Sequence, residues 1–159
     1  MANPVSEVSL TEKELELPSG NLDSSAGAIV DFWGVVRALE DGREIDGIQY
    51  EAHRTMAEHQ LQLIARQAAA DFALKLIVVR HRVGFVRVAE PSLFLRVAGR
   101  NRAEAFEASQ WIVDELKRRV PIWKRPKFKI DNRSAEEGEQ RRMHTGVASR
   151  RGRRLQLRR

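Results

Sequence analysis

Between Asn101 and Pro121 the chain reads NRAEAFEASQWIVDELKRRVP, and its apolar residues recur at intervals of three and four: Ala105/Phe106, Ser109, Ile112/Val113, Leu116 and Val120. That spacing predicts an amphipathic helix with one stripe to bury. No other feature limits the fold as much, because such a helix requires an apolar surface to lie on. Its ends are also marked. Asn101 followed by Glu104 reads as a capping box, and Pro121 disfavours helical geometry at Val120, so the helix should stop there.

A second stripe, Ala57, Leu61, Ile64, Ala65, Ala68 and Phe72, predicts another helix, with Thr55 and Glu58 as a capping box at its start. The segments between follow a different rhythm. GAIVDFWGVVR (27–37) is rich in β-branched and aromatic residues and reads as a strand. Asp41-Gly42 is a hairpin-type turn signal, and IDGIQYEA (45–52) reads as the returning strand. LKLIVVRHRVG (74–84) reads as a buried strand ending in a turn at Gly84, and SLFLRVAG (92–99) as another strand. The order strand, strand, helix, strand, strand, helix predicts an α+β domain, mainly antiparallel, with two main helices on a sheet. Neither internal repeats nor coiled-coil heptads are found.

The 159 residues, 42% of them hydrophobic, suit one domain with tails. The expected organisation is an N-terminal arm over 1–26, a folded α+β domain over 27–130, and a tail over 131–159. The first residues lack the basic start and apolar run of a secretory signal, and no stretch approaches the roughly 20 apolar residues of a membrane span. Cysteine is absent, which removes disulfides, thiolate metal sites and a cysteine nucleophile. A cytoplasmic location fits all of this.

Charge is unevenly placed. The net charge is +6, yet residues 124–159 carry 13 Lys and Arg against 4 Asp and Glu, so the body before them is slightly acidic. The terminal RRMHTGVASRRGRRLQLRR has few apolar residues and no period, and is expected to be disordered on its own. Nonspecific contact with polyanions is open to such a tail. The plainer reading is a solubilising extension.

Candidate chemistry is sparse. His53, His59, His81 and His144 show no paired-ligand spacing, so no metal site is expected. There is no phosphate-cradling glycine loop and no nucleophile elbow. His81, at a strand end, reads as structural. Two lysines stand out. Lys117 flanks the buried stripe of the second helix, and Lys124 follows Pro121, Ile122 and Trp123. Three helical rises to Val120 cover about 4.5 Å, and four extended residues to Lys124 add at most about 13 Å. A chain that folds back at Pro121 therefore lets both amines line one pocket. Spacing alone favours the ordinary alternative, a lysine on the helix dipole and an exposed lysine after a tryptophan. Arg37, directly after an apolar strand, is either a pocket cation or a strand-end surface arginine. Arg102, a cation at a helix N-terminus where the dipole disfavours it, is either part of an anion site with the free backbone N–H groups or an exposed first-turn arginine tolerated at small cost.

The segments GAIVDFWGVVR, YEAHRTMAE, HRVG, NRAEAFEAS and DELKRRVPIWK, in that order and spacing, resemble the large, catalytic subunit family of molybdopterin synthase. The resemblance runs from about Val5 to Lys124. It implies an α/β hammerhead-like domain with extra strands, and a dimer in which each copy binds a small ubiquitin-like sulfur-carrier subunit, making a heterotetramer. It further implies a sulfurtransferase of molybdenum cofactor biosynthesis with no cofactor of its own. Sulfur from the partner's C-terminal thiocarboxylate would convert a cyclic pyranopterin monophosphate to molybdopterin. By the same resemblance Lys117 and Lys124 are the catalytic lysines, Arg37 is a pocket arginine, and Arg102 contacts substrate phosphate from the neighbouring copy.

Two departures stand out. Asn101, which the resemblance places with Arg37 and Arg102 among the substrate-binding residues, stands where the family usually has histidine; asparagine caps a helix and can hydrogen-bond a phosphate in its place, but cannot exchange a proton as imidazole does. After Lys124 the usual KE and a later tryptophan-containing segment are replaced by RPKFKIDNRSAEEGEQ and the basic tail. A catalytically impaired paralogue acting as a scaffold, or a nucleic-acid-binding protein acting through its tail, are the alternatives these departures leave open.

Overall fold

Along the chain the elements are β1 (Val5–Thr11), β2 (Ala28–Val35), β3 (Leu39–Glu40), β4 (Arg43–Ala52), α1 (Arg54–Asp71), β5 (Leu76–Arg82), β6 (Gly84–Arg87), β7 (Pro91–Gly99), α2 (Arg102–Arg119) and β8 (Ile122–Phe128). This computed structural model describes residues 5–20 and 24–130. The chain divides into a unit ending at Phe128 and a second from Lys129 onward; the architecture given is that of the first. The tail expected over 131–159 lies outside the described residues.

The first sheet has the order β1-β5-β7-β2, with β1 parallel to β5 and the other pairings antiparallel. Side chains alternate between the two faces of a strand. Ile77 and Val79 of β5, Leu93, Leu95 and Val97 of β7, and Ala28 and Val30 of β2 all turn to the face on which α1 and α2 lie. Small residues let the helices approach closely: Ala57, Ala65 and Ala68 from α1 and Ala105 and Ala108 from α2 are fully buried there. The opposite face carries Phe94 packed against Trp33 in a tilted pair, their ring centroids 4.5 Å apart, and the bidentate pair Arg96–Asp31 with both contacts at 2.7 Å.

The second sheet is β3-β4-β6, with β8 also paired to β4. Val36, Ile45, Ile48 and Val86 form its own small core. Gly47 is required in it, because a methyl group there would collide with the Val86 carbonyl oxygen and the Phe85 ring.

Several expectations are corrected. The segments 27–37 and 45–52 do not pair with each other. β2 pairs with β7, and the turn at Asp41 (φ 51°) and Gly42 (φ 73°) closes only the two-residue ladder of β3 on β4. The turn chemistry was local and sound, but the longer partner of β4 is β8, which follows Pro121 and carries no clear alternation. Helix α1 is capped by His53, whose Nδ1 accepts from the Met56 backbone N–H, rather than by Thr55. Phe106 is 61% exposed, because the small residues beside it carry the packing against the sheet. Asn101 does cap α2, accepting from the Glu104 backbone N–H at 3.1 Å, but the Glu104 side chain turns to Arg100 instead of closing the box. Pro121 ends α2 as expected, with Val120 extended at ψ 126°.

Candidate active site

Where the first sheet outruns α2, the helix face is left uncovered, and a cavity of about 600 Å³ opens there. Phe32 and Gly34 continue the inward row of β2, His81 continues that of β5, and Leu93 that of β7. The opposite wall is the second sheet, through Ile48 and Tyr50 of β4 and Ile122 and Lys124 of β8. Tyr50 and Lys124 are register partners across these two strands, so their side chains leave the same face. The last turn of α2 closes the remaining side with Leu116, Lys117 and Val120.

Lys117, Lys124 and Arg37 thus line one cavity. Each reaches it for a different local reason. Lys117 flanks the buried Val113, Leu116 and Val120 at the end of α2. The extended backbone imposed before Pro121 reverses the chain into β8, and strand alternation then aims Ile122 and Lys124 inward while Trp123 is exposed. Arg37 follows the bulge at Gly34/Val35 that ends the pairing of β2.

Electrostatics distinguish the three. The Lys124 Nζ lies 3.0 Å from Glu40 Oε1, and Arg37 Nη2 lies 4.0 Å from Glu40 Oε2. Lys117 has no ion pair among the described residues, although it shares the last helical turn with Arg118 and Arg119. Glu115 holds both of those, at 2.6 Å and 3.2 Å. The two arginines so satisfied leave Lys117 as the free amine at the negative end of the α2 dipole.

The polar floor of the cavity was not identified from sequence. Tyr50 donates its hydroxyl to Ser92 Oγ at 3.2 Å, and Ser92 in turn donates to the Gly34 carbonyl. His81 is 6% exposed and meets the Tyr50 ring edge-on at 5.2 Å. Its Nδ1 lies 2.7 Å from the Arg82 carbonyl oxygen, which can only accept, so Nδ1 carries the proton and Nε2 is left bare. Burial lowers the His81 pKa from its ordinary value, and the bond to the Arg82 carbonyl partly opposes that. The structural role expected of His81 is therefore joined by a place in the cavity wall. The signal for it was the apolar run ahead of it, which puts residue 81 on the same face as buried 77 and 79.

Asn101 and Arg102 do not line this cavity. Both are exposed at the start of α2, and Arg102 has no ion pair among the described residues. Fifteen residues of helix separate Arg102 from Lys117, about 22 Å by helical rise. No cluster of candidate metal ligands is present among the described residues, and no helix among them is long and apolar enough to cross a membrane.

The sequence model of the family described as MoaE protein matches residues 5–119. A molybdopterin synthase catalytic subunit from Pyrococcus abyssi is 42% identical over 102 residues, covering 64% of this chain and 69% of the relative. The crystal structure of molybdopterin synthase from Staphylococcus aureus superposes with a TM-score of 0.65 at 26% identity, covering 69% of this chain and 80% of that one. A complex of subunits 1 and 2 of molybdopterin-converting factor from Helicobacter pylori shares the fold, with a TM-score of 0.56 at 19% identity over 79% of this chain and 90% of that one. Matched by the family model over most of its folded part, the chain belongs to the MoaE protein family.

Proposed function

We propose that this chain is the catalytic subunit of a molybdopterin synthase, a cytoplasmic sulfurtransferase. It moves sulfur from the C-terminal thiocarboxylate of a small ubiquitin-like subunit onto a pyranopterin monophosphate. The observation that carries the reading is the convergence of Lys117, Lys124 and Arg37 on one cavity with apolar walls, in a chain of this family. The relative's name, catalytic subunit, and the two-subunit neighbour support a partner in trans. A chain without cysteine then needs no sulfur source of its own.

In this reading the cavity receives the partner's extended terminus and the substrate together. Lys117, the unpaired amine, meets the reacting carbonyl and the substrate, as base or nucleophile. Lys124 is the second amine. Arg37 keeps its charge throughout and stabilises negative charge as it develops. Each partner enters as a thiocarboxylate and leaves as a carboxylate once water has replaced the transferred sulfur, so one dithiolene consumes two partners. Arg102 and Asn101, about 22 Å along α2 from Lys117, act on the site of a second copy in a dimer, which makes the working assembly a heterotetramer. Residues 27–130 are the catalytic domain. The arm over 1–26 supplies β1 at the sheet edge, and the basic tail over 131–159 follows the catalytic domain.

Purified protein, mixed with thiocarboxylated small subunit and pyranopterin substrate, is expected to yield dithiolene product. No product from the wild type, or undiminished product from Lys117→Ala, rejects the assignment.

A further inference from the structure

Among the described residues that line the cavity, Glu40 is the one carboxylate. Its side chain is 17% exposed, against 56% for Lys124 and 82% for Arg37. It lies deeper than the cations it faces. One oxygen takes Lys124 at 3.0 Å, and the other faces Arg37 at 4.0 Å. The carboxylate is delivered by β3, a two-residue strand held to β4 by the Leu39–Glu44 and Glu40–Arg43 pairings. The tight Asp41-Gly42 turn, with both residues at positive φ, fixes where that tip ends. Two of the three cavity cations are therefore already answered by an acid of this chain, and only Lys117 is not.

We infer that Glu40 is a resident counter-ion standing where an incoming anion binds, and that it sets the affinity of the cavity for anions. The inference rests on the proposed function for the identity of its natural ligands, but its physical content does not depend on them. A carboxylate between a lysine and an arginine offers the hydrogen bonds that a peptide C-terminus or a phosphate oxygen would offer. An anion entering the cavity then has two courses. It binds Lys117 alone, or it displaces Glu40 and gains Lys124 and Arg37 at the cost of the pairs already there. In either course the fixed negative charge weakens binding. It also keeps Lys124 in a defined place while the cavity is empty, since a lysine stem without a partner samples many rotamers. Glu40 is thus a specificity-determining and positioning residue, since it touches the cations and not the reacting atoms.

The test uses the full-length protein and Glu40→Gln, which keeps shape and removes charge, with Glu40→Ser as a second variant. Two probes are titrated by calorimetry: pyrophosphate, and a short peptide ending in glycine with a free carboxylate, its amidated form being the control. Both variants are expected to bind at least one probe about two- to fivefold more tightly than the wild type, the range expected when exposed ion pairs are released. A gain for the peptide alone assigns the place to a chain terminus, a gain for pyrophosphate alone to a phosphate, and a gain for both to either anion. The gain should shrink when Lys124→Met is added, as coupled sites require. Unchanged or weaker binding of both probes by both variants overturns the inference. The reading of function is decided separately: wild type that makes no dithiolene, beside a Glu40→Gln variant with raised anion affinity, removes the sulfurtransferase assignment and leaves this inference standing.

Discussion

His81 offers the sharpest physical test of the cavity, because its burial has a consequence for stability that no exposed histidine shares. The ring is 6% exposed, sits against the Tyr50 edge and donates Nδ1–H to the Arg82 carbonyl. Burial holds its pKa below the ordinary value in the folded chain. In the unfolded chain the same ring titrates near 6.5. Above that pH neither state is protonated at this position and the contribution is nil. As pH falls through about 6.5 the unfolded chain gains a proton that the folded chain does not, so folding stability drops with acidification, by at most about 1.4 kcal/mol per pH unit. The loss levels off once the folded state also takes the proton. By pH 5.5 the loss reaches at most about 1.4 kcal/mol, equivalent to a fall in Tm of about 5 °C for a unit of this size. The carboxylates held low by their partners, Glu90 by the Arg87 backbone N–H and Arg82, and Glu115 by Arg118 and Arg119, titrate at more acid pH and do not overlap this window. Urea unfolding at pH 7.5, 6.5 and 5.5 should show the decline in the wild type and a flatter profile in His81→Gln. The comparison cancels the other histidines, which both proteins share. Parallel profiles for the two proteins refute the claim that His81 is buried and neutral, and with it the polar floor assigned to the cavity.

Other substitutions separate chemistry from architecture. Lys117→Ala should abolish dithiolene formation while changing stability by less than about 0.5 kcal/mol, since the side chain is exposed and unpaired; product assay beside thermal melts checks both. Asn101→Ala removes the α2 cap and should cost about 1 kcal/mol, with Asn101→Asp largely retaining it, as read by urea midpoints. If Asn101 limits proton exchange in the neighbouring site, Asn101→His raises turnover without raising stability. Gly47→Ala should destabilise by about 1–3 kcal/mol or misfold, because the added methyl meets the rigid Val86 carbonyl.

What could be read from the sequence was whatever rests on local periodicity. Both helices are present, and the stop at Pro121 and the cap at Asn101 follow from side-chain chemistry within four residues. The strand pairings were less legible. β2 and β4 flank a good turn, which suggested a hairpin, yet β2 finds its partner in β7, some sixty residues away. β8 escaped notice because Lys124, Arg125 and Lys127 give it the composition of a solvated segment, and only its pairing to β4 makes it a strand. The same gap concealed part of the site. Spacing allowed Lys124 into a pocket and only the resemblance assigned it there, while Tyr50, Ser92 and Glu40 enter the cavity through pairings across the sheets, and no short window of sequence contains those.

The cavity itself follows from a mismatch in length. The first sheet extends past the last turn of α2, so the helix face of β2, β5 and β7 continues with nothing on it, and Phe32, His81 and Leu93 would be left to water. Pro121 turns the chain into β8, which pairs to β4 and walls the far side of the gap with Ile122 and Lys124. The step that walls the cavity is also the step that carries an amine to it. Because Lys117 lies at the end of the helix and Lys124 at the start of the returning strand, the separation of the two amines depends on this one reversal. Pro121→Ala, which lets helical geometry persist at Val120, should therefore impair sulfur transfer more than it impairs folding. Undiminished product from that variant would mean that the two amines need not be held together at all.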